Sequence, residues 1–425
     1  MQRILDRIKG DKVIWAVVLV LAFISLLAVY SSTRSLAYKL DKNSSHFLIK
    51  QLMVLAFGLV IIYGVHKVNY RRLKNLSVLF YLASLPLLLY TLAFGKVLNG
   101  GSRWIQLPVV NLTFQSSDFA KLALFVFLAR LLSVKQNSIK DLKTGFFPVL
   151  LPVLLTCAFI APANLSTALM LGATCCILFF IGRVQVKHIL LLAVAGMVGV
   201  VLLFFVSKAT GWGRAATWEK RIADFRGKGD KDEDGGDKKE TIFQVQQAKI
   251  AIANGGVFGL GPGHSLQRDY LPEAFSDFIF SSIIEEYGLF GGGVLILLYL
   301  TFLWRSIQIF RRCPYAFGAF LAVGLSITLV FQAMLNMAVN VHLVPVTGLP
   351  LPMVSMGGSS IWFTSIAIGI VLSVSRYVDE NEEEAKRNAV AIKTEEKAVD
   401  EAQEAAAIEA MEEVKKKKQP QPAAA

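Results

Sequence analysis

The stretch LPEAFSDFIFSSIIEEYGLFGGGVLILLYLTFL, residues 271–303, joins a polar loop directly to a long apolar segment. A helix of about 20 apolar residues crosses about 30 Å of hydrocarbon, so residues 278–303 are long enough to span a membrane. Asp277 nevertheless stands at the start of this segment, and Glu285 and Glu286 lie inside it. Carboxylates at membrane depth are costly and normally face a cavity or a partner. The stretch therefore predicts a membrane helix beside a site where water meets an apolar pocket.

The remainder of the chain has the same apolar character. Of its 425 residues 54% are hydrophobic and only 18% are charged, with a mean hydropathy of +0.53, which excludes an ordinary soluble protein. We read the formal net charge of +13 as a result of topology and lipid contact, not as a nucleic-acid footprint. The predicted fold class is an all-α polytopic membrane protein. Its ten transmembrane helices are predicted at 13–31, 48–66, 76–95, 119–133, 146–161, 166–182, 187–206, 278–303, 315–338 and 358–377.

Lysine and arginine are concentrated in alternate connections between these helices. The positive-inside rule therefore predicts that both termini are cytoplasmic. A membrane domain over 13–377 then follows a cytoplasmic N-terminus at 1–12 and precedes a cytoplasmic, partly disordered tail at 378–425. Within it we predict a large extracytoplasmic loop at 207–276 and a re-entrant-like outer loop at 341–357. The charged, glycine-rich tract 226–240 is predicted to be mobile, because it has too little apolar surface to fold alone.

A first polar constellation lies in the outer loop before the fourth predicted helix. Arg103 offers a planar fork that suits phosphate oxygens, and Trp104 suits a sugar face or the membrane interface. The alternative without a ligand is that Trp104 belongs to an aromatic belt at the membrane interface and that Arg103 is a snorkelling cation. Asp118 and Lys121 are three residues apart at a helix start, where they could pair with each other.

A second constellation follows Lys249. A short amphipathic helix is predicted to end at Asn254-Gly255, and a glycine-rich turn that could cradle phosphate follows it and leads to Arg268 and Asp269. No strand precedes the turn, so it is neither a Walker loop nor a dinucleotide fingerprint.

The third constellation contains Asp277, which lies between the polar loop and the apolar segment. A general base there, tuned by desolvation and nearby cations, competes with a purely structural carboxylate that caps the helix. Glu285 is eight residues further, on the same helical face, and is therefore predicted to lie about 12 Å deeper. For Glu285 and Glu286 we favour helix packing, with hydrogen bonds to a polar stripe of Gln332, Asn336 and Asn340.

The last constellation, residues 340–360, is rich in proline and glycine and too short to cross a bilayer. Irregular backbone at membrane depth must be buried in protein or line a cavity, so this segment is predicted to roof the site. His342 within it is more typical of a packed histidine than of a proton carrier.

Taken in order, these motifs resemble the SEDS family (shape, elongation, division and sporulation) of RodA- and FtsW-type peptidoglycan glycosyltransferases. The likeness covers nearly all of 13–377. After Gly261-Pro262-Gly263, residues 265–273 look more like the division member FtsW than the elongation member RodA. One departure is clear: where the family usually has Pro-Asp-Leu-Gly-Thr, this chain has Asn164 in place of the carboxylate.

The resemblance implies an inverting glycosyl transfer at the outer face of a bacterial cytoplasmic (inner) membrane. Lipid II, a disaccharide-pentapeptide on undecaprenyl pyrophosphate, would be polymerised into glycan strands, for septal wall synthesis if the FtsW likeness holds. The implied partners are lipids, a cognate class B penicillin-binding protein and division proteins. The competing classes are a lipid II transporter and a scaffold that recruits a transpeptidase to the divisome.

The resemblance also assigns roles to residues. Asp277 would be the catalytic base. Substrate binding would fall to Arg103, Trp104, Lys121, Lys249, Arg268 and Glu273, and supporting roles to Asp118, Asp269, Glu285, Glu286, Ser355, Gly357 and Gly358. No resident metal site is predicted, although a divalent cation, magnesium or manganese, could accompany the pyrophosphate.

Overall fold

A computed structural model of the chain describes residues 9–39, 41, 43–98, 101–106, 113–210, 215–225, 236–271 and 274–417. Within these residues the chain forms thirteen α-helices and three short strands. The helices are α1 Lys12–Ser32, α2 Arg34–Lys39, α3 Ser44–Lys67, α4 Arg71–Phe94, α5 Ser116–Val134, α6 Phe147–Ile160, α7 Leu165–Ile181, α8 Val186–Thr210, α9 Ala215–Phe225, α10 Gly236–Gly255, α11 Ile279–Arg312, α12 Ala316–Asn340 and α13 Gly358–Lys417; the strands are β1 Lys96–Leu98, β2 Gly101–Gln106 and β3 Thr113–Gln115.

Each of the ten predicted spans coincides with one helix, which confirms a polytopic helical membrane protein. Eight of these helices are long and apolar enough to cross a membrane. The two that do not meet those criteria are α7, which has only 17 residues, and α5, which carries Asp118, Lys121 and Arg130. Because Lys121 is buried inside the protein, its charge does not face lipid.

Helix α12 is the most enclosed of the spans. Its most apolar stretch is 78% buried, whereas none of the corresponding stretch of α8 is buried. Polar side chains on α12 therefore face protein, and α8 lies at the periphery of the bundle.

The predicted outer loop before α5 is partly a small antiparallel sheet in the order β1-β2-β3. Trp104 on β2 lies opposite Lys96 on one side and Gln115 on the other. The sequence signal was weak, because the strands are three to six residues long and the alternation of side chains is short.

The large loop 207–276 contains two helices, the predicted one that ends at Gly255, α10, and α9, which was not predicted. Val245 and Ala248 of α10 pack in an apolar cluster with Leu271, Ala274 and Phe278. Of the tract predicted to be mobile, residues 226–235 lie outside the described part of the chain, and residues 236–240 form the first turns of α10. Continuity with a packed helix explains why these charged residues are helical despite their composition.

The chain divides into two compact units, Met1–Arg376 and Tyr377–Ala425. In the second unit, residues 377–417 are helical, and residues 383–394 are exposed. The tail's predicted disorder beyond residue 417 concerns residues outside the described range.

Candidate functional site

Asp277 lies in a turn, residues 274–278, immediately before α11. The prediction placed Asp277 on the same helical face as Glu285, but α11 begins at Ile279, so Asp277 lies in the turn before the helix. The Asp277 side chain is half-buried, and its Oδ1 atom accepts a hydrogen bond of 3.2 Å from the Ser276 hydroxyl. The N-cap position belongs to Phe278, and the amide of Ser281 donates to the Oδ1 atom of Asn340 at 3.0 Å.

The polar stripe of α12 holds this turn in place. The side-chain amides of Asn336 and Asn340 both donate to the backbone carbonyl of Asp277 at 2.9 Å. Two bonds to one carbonyl restrict the direction in which the following side chain and helix leave the turn. The stripe was predicted to bond Glu285 and Glu286; its observed partners are the Asp277 turn and the loop after α12.

That loop, residues 341–357, is irregular, as predicted, and is tied to both neighbours. Asn336 donates to the carbonyl of Leu349 and Gln332 to that of Pro350, each at 2.8 Å. The Ser355 hydroxyl donates to the carbonyl of Ser276 at 2.6 Å, and the Met356 amide donates to that of Phe275 at 2.9 Å. The loop therefore forms one wall of the Asp277 turn.

Gly348 brings this wall close to the carboxylate. Its φ of +66° is a conformation that favours glycine, and a Cβ atom added there would stand 3.5 Å from the Oδ2 atom of Asp277. The glycine thus lets loop backbone run beside the candidate base without a side chain in between.

The hairpin with Trp104 joins the same end of the bundle. The amide of Gln115, at the end of β3, donates to the Ser359 hydroxyl at 3.3 Å, and the Phe114 and Phe363 rings pack edge to face. Ser359 belongs to the first turn of α13, just after Gly357 and Gly358. The first and fourth constellations are therefore neighbours, as the prediction of one composite site requires.

Lys121 and Asp118 pair with each other, as their spacing predicted. The Lys121 Nζ atom lies 2.8 Å from the Oδ1 atom of Asp118 and 3.3 Å from the Oε1 atom of Gln332. Both side chains are buried, and the Asp118 carboxylate compensates the positive charge of Lys121. Through Gln332, this pair supports the loop at Pro350. Asn164, which replaces the family's usual carboxylate, caps α7 by accepting from the Thr167 amide.

The glycine-rich turn after α10 docks onto a break in α11. Gly288 has a φ of 69° and interrupts the helical hydrogen-bond ladder. The carbonyls of Glu285 and Glu286 accept from the amides of Leu260 and Gly261, at 2.9 and 3.0 Å. Two further hydrogen bonds run in the opposite direction. The amide of Leu289 donates to the carbonyl of Gly256 at 2.9 Å, and the amide of Phe290 donates to the carbonyl of Val257 at 3.1 Å.

Glycine is required on both sides of this junction. A Cβ atom on Gly255, Gly259 or Gly288 would stand 2.1 to 2.2 Å from a backbone oxygen of the other segment. The phosphate-cradle interpretation is corrected on this point: the amides of Leu260 and Gly261 are bonded to α11 and are not available to a ligand.

The side chains of Glu285 and Glu286 lie in the same junction and are fully buried. Glu285 accepts from the Ser265 hydroxyl and from the amides of Leu266 and Gln267, at 3.1 and 3.2 Å. Such bonds satisfy a buried carboxylate, so Glu285 anchors the loop.

Glu286 forms a second group, the Glu286 cluster, with Ser31 of α1 and Arg268. Glu286 accepts from the Ser31 hydroxyl and interacts electrostatically with Arg268. The Arg268 guanidinium donates to Ser31 at 3.3 Å and to the carbonyl of Gly263 at 2.8 Å. The neighbouring Asp269 carboxylate is mostly exposed and lies 3.9 Å from the Arg268 Nε atom.

Comparison with known proteins shows which family has this sequence and this architecture. Residues 11–380 match the model of the FtsW/RodA/SpoVE family, described as cell cycle proteins. The chain is 34% identical over 372 residues to stage V sporulation protein E of Bacillus subtilis, covering 86% of this chain and 97% of that protein. It is also 34% identical over 370 residues to the probable peptidoglycan glycosyltransferase FtsW of Geobacter sulfurreducens, with 86% and 95% covered.

The chain belongs to the FtsW/RodA/SpoVE family. Solved structures agree in fold. The rod shape determining protein RodA of Thermus thermophilus superposes with a TM-score of 0.62 at 23% identity, over 86% of this chain and 97% of that one. A chain from a peptidoglycan synthase complex that coordinates polymerization and crosslinking gives 0.65, also at 24% identity, over 87% and 98%.

The candidate cations of this FtsW/RodA/SpoVE-family protein have different environments. Lys121 and Arg268 are buried and paired, whereas Lys249 is exposed on α10, next to Ala248 in the cluster that supports the Asp277 turn. The Arg103 side chain and the whole of Glu273 lie outside the described residues. Lys249 is thus the described cation best placed to meet a ligand.

His342 is the second residue after the end of α12, and it lies close to Lys249. Burial lowers the pKa of His342 below its usual value of 6.5, and the positive charge of Lys249 lowers it further. Its ring also packs on Phe225 of α9, with 4.9 Å between centroids. This contact agrees with the packed histidine that the sequence favoured.

Several positions that organise the site carried little sequence signal. Ser31 is an ordinary hydroxyl in an apolar helix, and its contact with Glu286 joins residues 255 positions apart. Gly348 could have been found, because glycine between threonine and a proline-rich run marks a special turn.

Proposed function

We propose that this protein is a peptidoglycan glycosyltransferase that polymerises lipid II into glycan strands. The observation that carries the proposal is the fixed turn of Asp277, which α12 and the loop 341–357 hold in place. Family membership supplies the reaction class, since the relative from Geobacter sulfurreducens is named a probable peptidoglycan glycosyltransferase.

In the proposed reaction Asp277 accepts the proton of the acceptor sugar's 4-hydroxyl. The hydroxyl oxygen attacks the anomeric carbon of the donor, the bond from that carbon to pyrophosphate breaks, and the configuration inverts. One base suffices because pyrophosphate is an acidic leaving group that needs no protonation, unlike the leaving alcohol of a glycosidase.

The departing pyrophosphate needs positive charge at the same end of the bundle. Lys249 fits this role, because it is exposed beside the apolar cluster under the Asp277 turn. Arg103 is the second candidate by its position on β2, and Trp104 is placed next to it to contact sugar or lipid. Lys121 and Arg268 fit a supporting role better, since their charges are neutralised by buried carboxylates.

A metal-dependent step is not part of the proposal. Among the described residues, no three His, Cys, Asp or Glu side chains converge as a protein metal site requires. A magnesium or manganese ion that arrives with the pyrophosphate would be held chiefly by phosphate oxygens.

The biological setting is proposed on family grounds. The likeness to FtsW supports septal wall synthesis with a class B penicillin-binding protein and other division proteins. The positive-inside pattern supports an Asp277 end that faces outward from the bacterial cytoplasmic membrane, with both termini inside.

Neither alternative gains support from the geometry. A transporter would use Glu285 and Glu286 as a polar path, but both carboxylates are fully buried and hydrogen-bonded to neighbouring segments. A scaffold-only role gives no reason to hold a half-buried carboxylate in a fixed turn.

The test is polymerisation of lipid II by purified full-length protein, with and without its cognate transpeptidase. Asp277→Asn keeps the size of the side chain but removes the base, so glycan synthesis should fall by about 10²- to 10⁴-fold or more. Asp141→Asn, the same change at an exposed carboxylate at the opposite end, should retain full activity. Near wild-type polymer formation by a folded Asp277→Asn protein would reject the role of Asp277.

A further inference from the structure

A second cavity lies at the opposite end of the bundle from Asp277. It has about 720 Å³ of empty space, including its open mouth, and lies where α5, α7 and α11 end and α12 begins. The part of α11 that follows its break at Gly288 runs 22 residues to Phe310, about 33 Å at 1.5 Å per residue, which is close to the thickness of the hydrocarbon. This cavity therefore opens at the other membrane boundary and is separate from the Asp277 site. Its lining includes Gln136, Asn137, Arg183, Phe310, Ala316 and Phe320.

Arg183 is the charged residue of the lining, and its placement is unusual. It follows α7 with a φ of +64°, a conformation that favours glycine after a helix end. Its amide donates to the carbonyl of Phe180, and the next amide, of Val184, donates to that of Phe179. Nowhere in the described ranges does a carboxylate or carbonyl pair with the Arg183 guanidinium. The turn thus places a cationic fork at the cavity mouth that no described protein group neutralises.

The charge balance around the cavity favours an anion. Three helix C-termini contribute about −0.5 each and the N-terminus of α12 about +0.5, a total of about −1 from the backbone. Lys135, Arg311 and Arg312 flank the lining residues in sequence and add to Arg183, whereas Asp141 is the one acidic residue in the three connections 130–144, 182–188 and 304–314. The side-chain charge therefore outweighs the helix dipoles.

The cavity lining has both polar and apolar residues, which favours an anion that itself carries an apolar part. Phe310 and Phe320 pack with 6.1 Å between their ring centroids, and Ala316 lies beside them. The carboxamides of Gln136 and Asn137 can donate to ester or hydroxyl oxygens. A small inorganic anion would use only the cation, whereas a phospholipid would present phosphate to Arg183 and glycerol ester and first methylenes to the rings. Basic pockets between membrane helices bind anionic head groups in this way.

We propose that this cavity binds the head group of an anionic phospholipid from the leaflet at the basic end of the bundle, with the phosphate on Arg183. The site does not depend on the function proposed for Asp277.

The experiment measures binding of phosphatidylglycerol and phosphatidylcholine to the full-length protein in detergent by native mass spectrometry. Wild-type protein should retain phosphatidylglycerol in preference to phosphatidylcholine. Arg183→Gln should weaken phosphatidylglycerol binding by about tenfold or more, as expected for loss of charge-assisted hydrogen bonds. Arg183→Gly should weaken it equally while the melting temperature stays the same or rises, because glycine suits the φ of this position.

Lys140→Gln is the matched control, since it removes one exposed positive charge three residues after the lining residue Asn137 but outside the lining itself. It should change binding by less than about twofold, as screened surface charges do. Equal loss in Lys140→Gln and Arg183→Gln would overturn the proposal in favour of diffuse attraction. Displacement of the lipid by millimolar inorganic phosphate, or no preference over phosphatidylcholine, would also overturn it.

Discussion

The carboxylates near the Asp277 end of the bundle have different partners and different degrees of burial. Asp118 is buried against Lys121, and Glu285 and Glu286 are enclosed by amides, hydroxyls and Arg268. Asp277 is only half-buried, and two side-chain amides of α12 hold its backbone carbonyl. A fixed main chain with an accessible side chain is the arrangement that a general base needs, whereas enclosed carboxylates suit structural roles.

A pH prediction follows for His342. Its folded-state pKa lies below 6.5, first because of burial and then because of Lys249, so the unfolded chain binds the proton more readily. This contribution to stability is therefore complete above about pH 6.5 and is lost as the pH falls through the folded-state pKa. The melting temperature should drop between pH 7 and pH 5 more in wild-type protein than in His342→Asn, which tolerates the φ of 59°. Lys249→Gln should show an intermediate drop, and identical slopes in all three proteins would contradict the account.

At the scale of elements, the sequence predicts what arises from local periodicity. The ten apolar spans, the end of α10 at Gly255 and the pairing of Asp118 with Lys121 each depend on residues close in sequence. The errors arise where distant segments meet. The amides of Asn336 and Asn340 reach Asp277, about 60 positions away, and not the glutamates that a helical face suggested. Pattern alone cannot choose among several buried acceptors, because the choice depends on how α11 and α12 pack.

The junction between α11 and the glycine-rich turn gives a test of such an element contact. Gly288→Ala would place a Cβ atom 2.1 Å from the carbonyl of Val257, at a φ of 69° that alanine rarely adopts. We expect a loss of about 3 kcal/mol or more, together with loss of polymerisation, since the turn carries Ser265 and Arg268. Gly293→Ala on the same helix meets no atom within 4 Å and should be neutral or stabilising by up to about 1 kcal/mol. Thermal unfolding in detergent and the lipid II assay measure both effects, and equal behaviour of the two variants would contradict the docking role.

Over the whole molecule, α1 and α11 are joined by polar groups at both of their ends. One junction is the Glu286 cluster. The other is the Asp11 cluster, in which the Oδ2 atom of Asp11 lies 2.7 and 2.6 Å from the Nε and Nη2 atoms of Arg305. From Asp11 to Ser31 is about 30 Å at 1.5 Å per residue, close to the thickness of the hydrocarbon. The two clusters therefore lie near the two membrane boundaries, which also places Glu286 near a boundary and not at the midplane.

The Asp11 cluster should hold the fold together without taking part in catalysis. Asp11→Asn retains the cap on the amides of Val13 and Ile14 but loses the ion pair with Arg305, so we expect a loss of about 1–3 kcal/mol. A cycle with Arg305→Gln should give a coupling of about 1–2 kcal/mol, while Lys12→Gln, an exposed neighbour, should change stability by less than about 0.5 kcal/mol. Polymerisation below the unfolding temperature should remain near wild type, because Asp277 lies beyond the other boundary. Lost polymerisation with unchanged stability would instead mean that the two ends of α1 and α11 act as one functional unit.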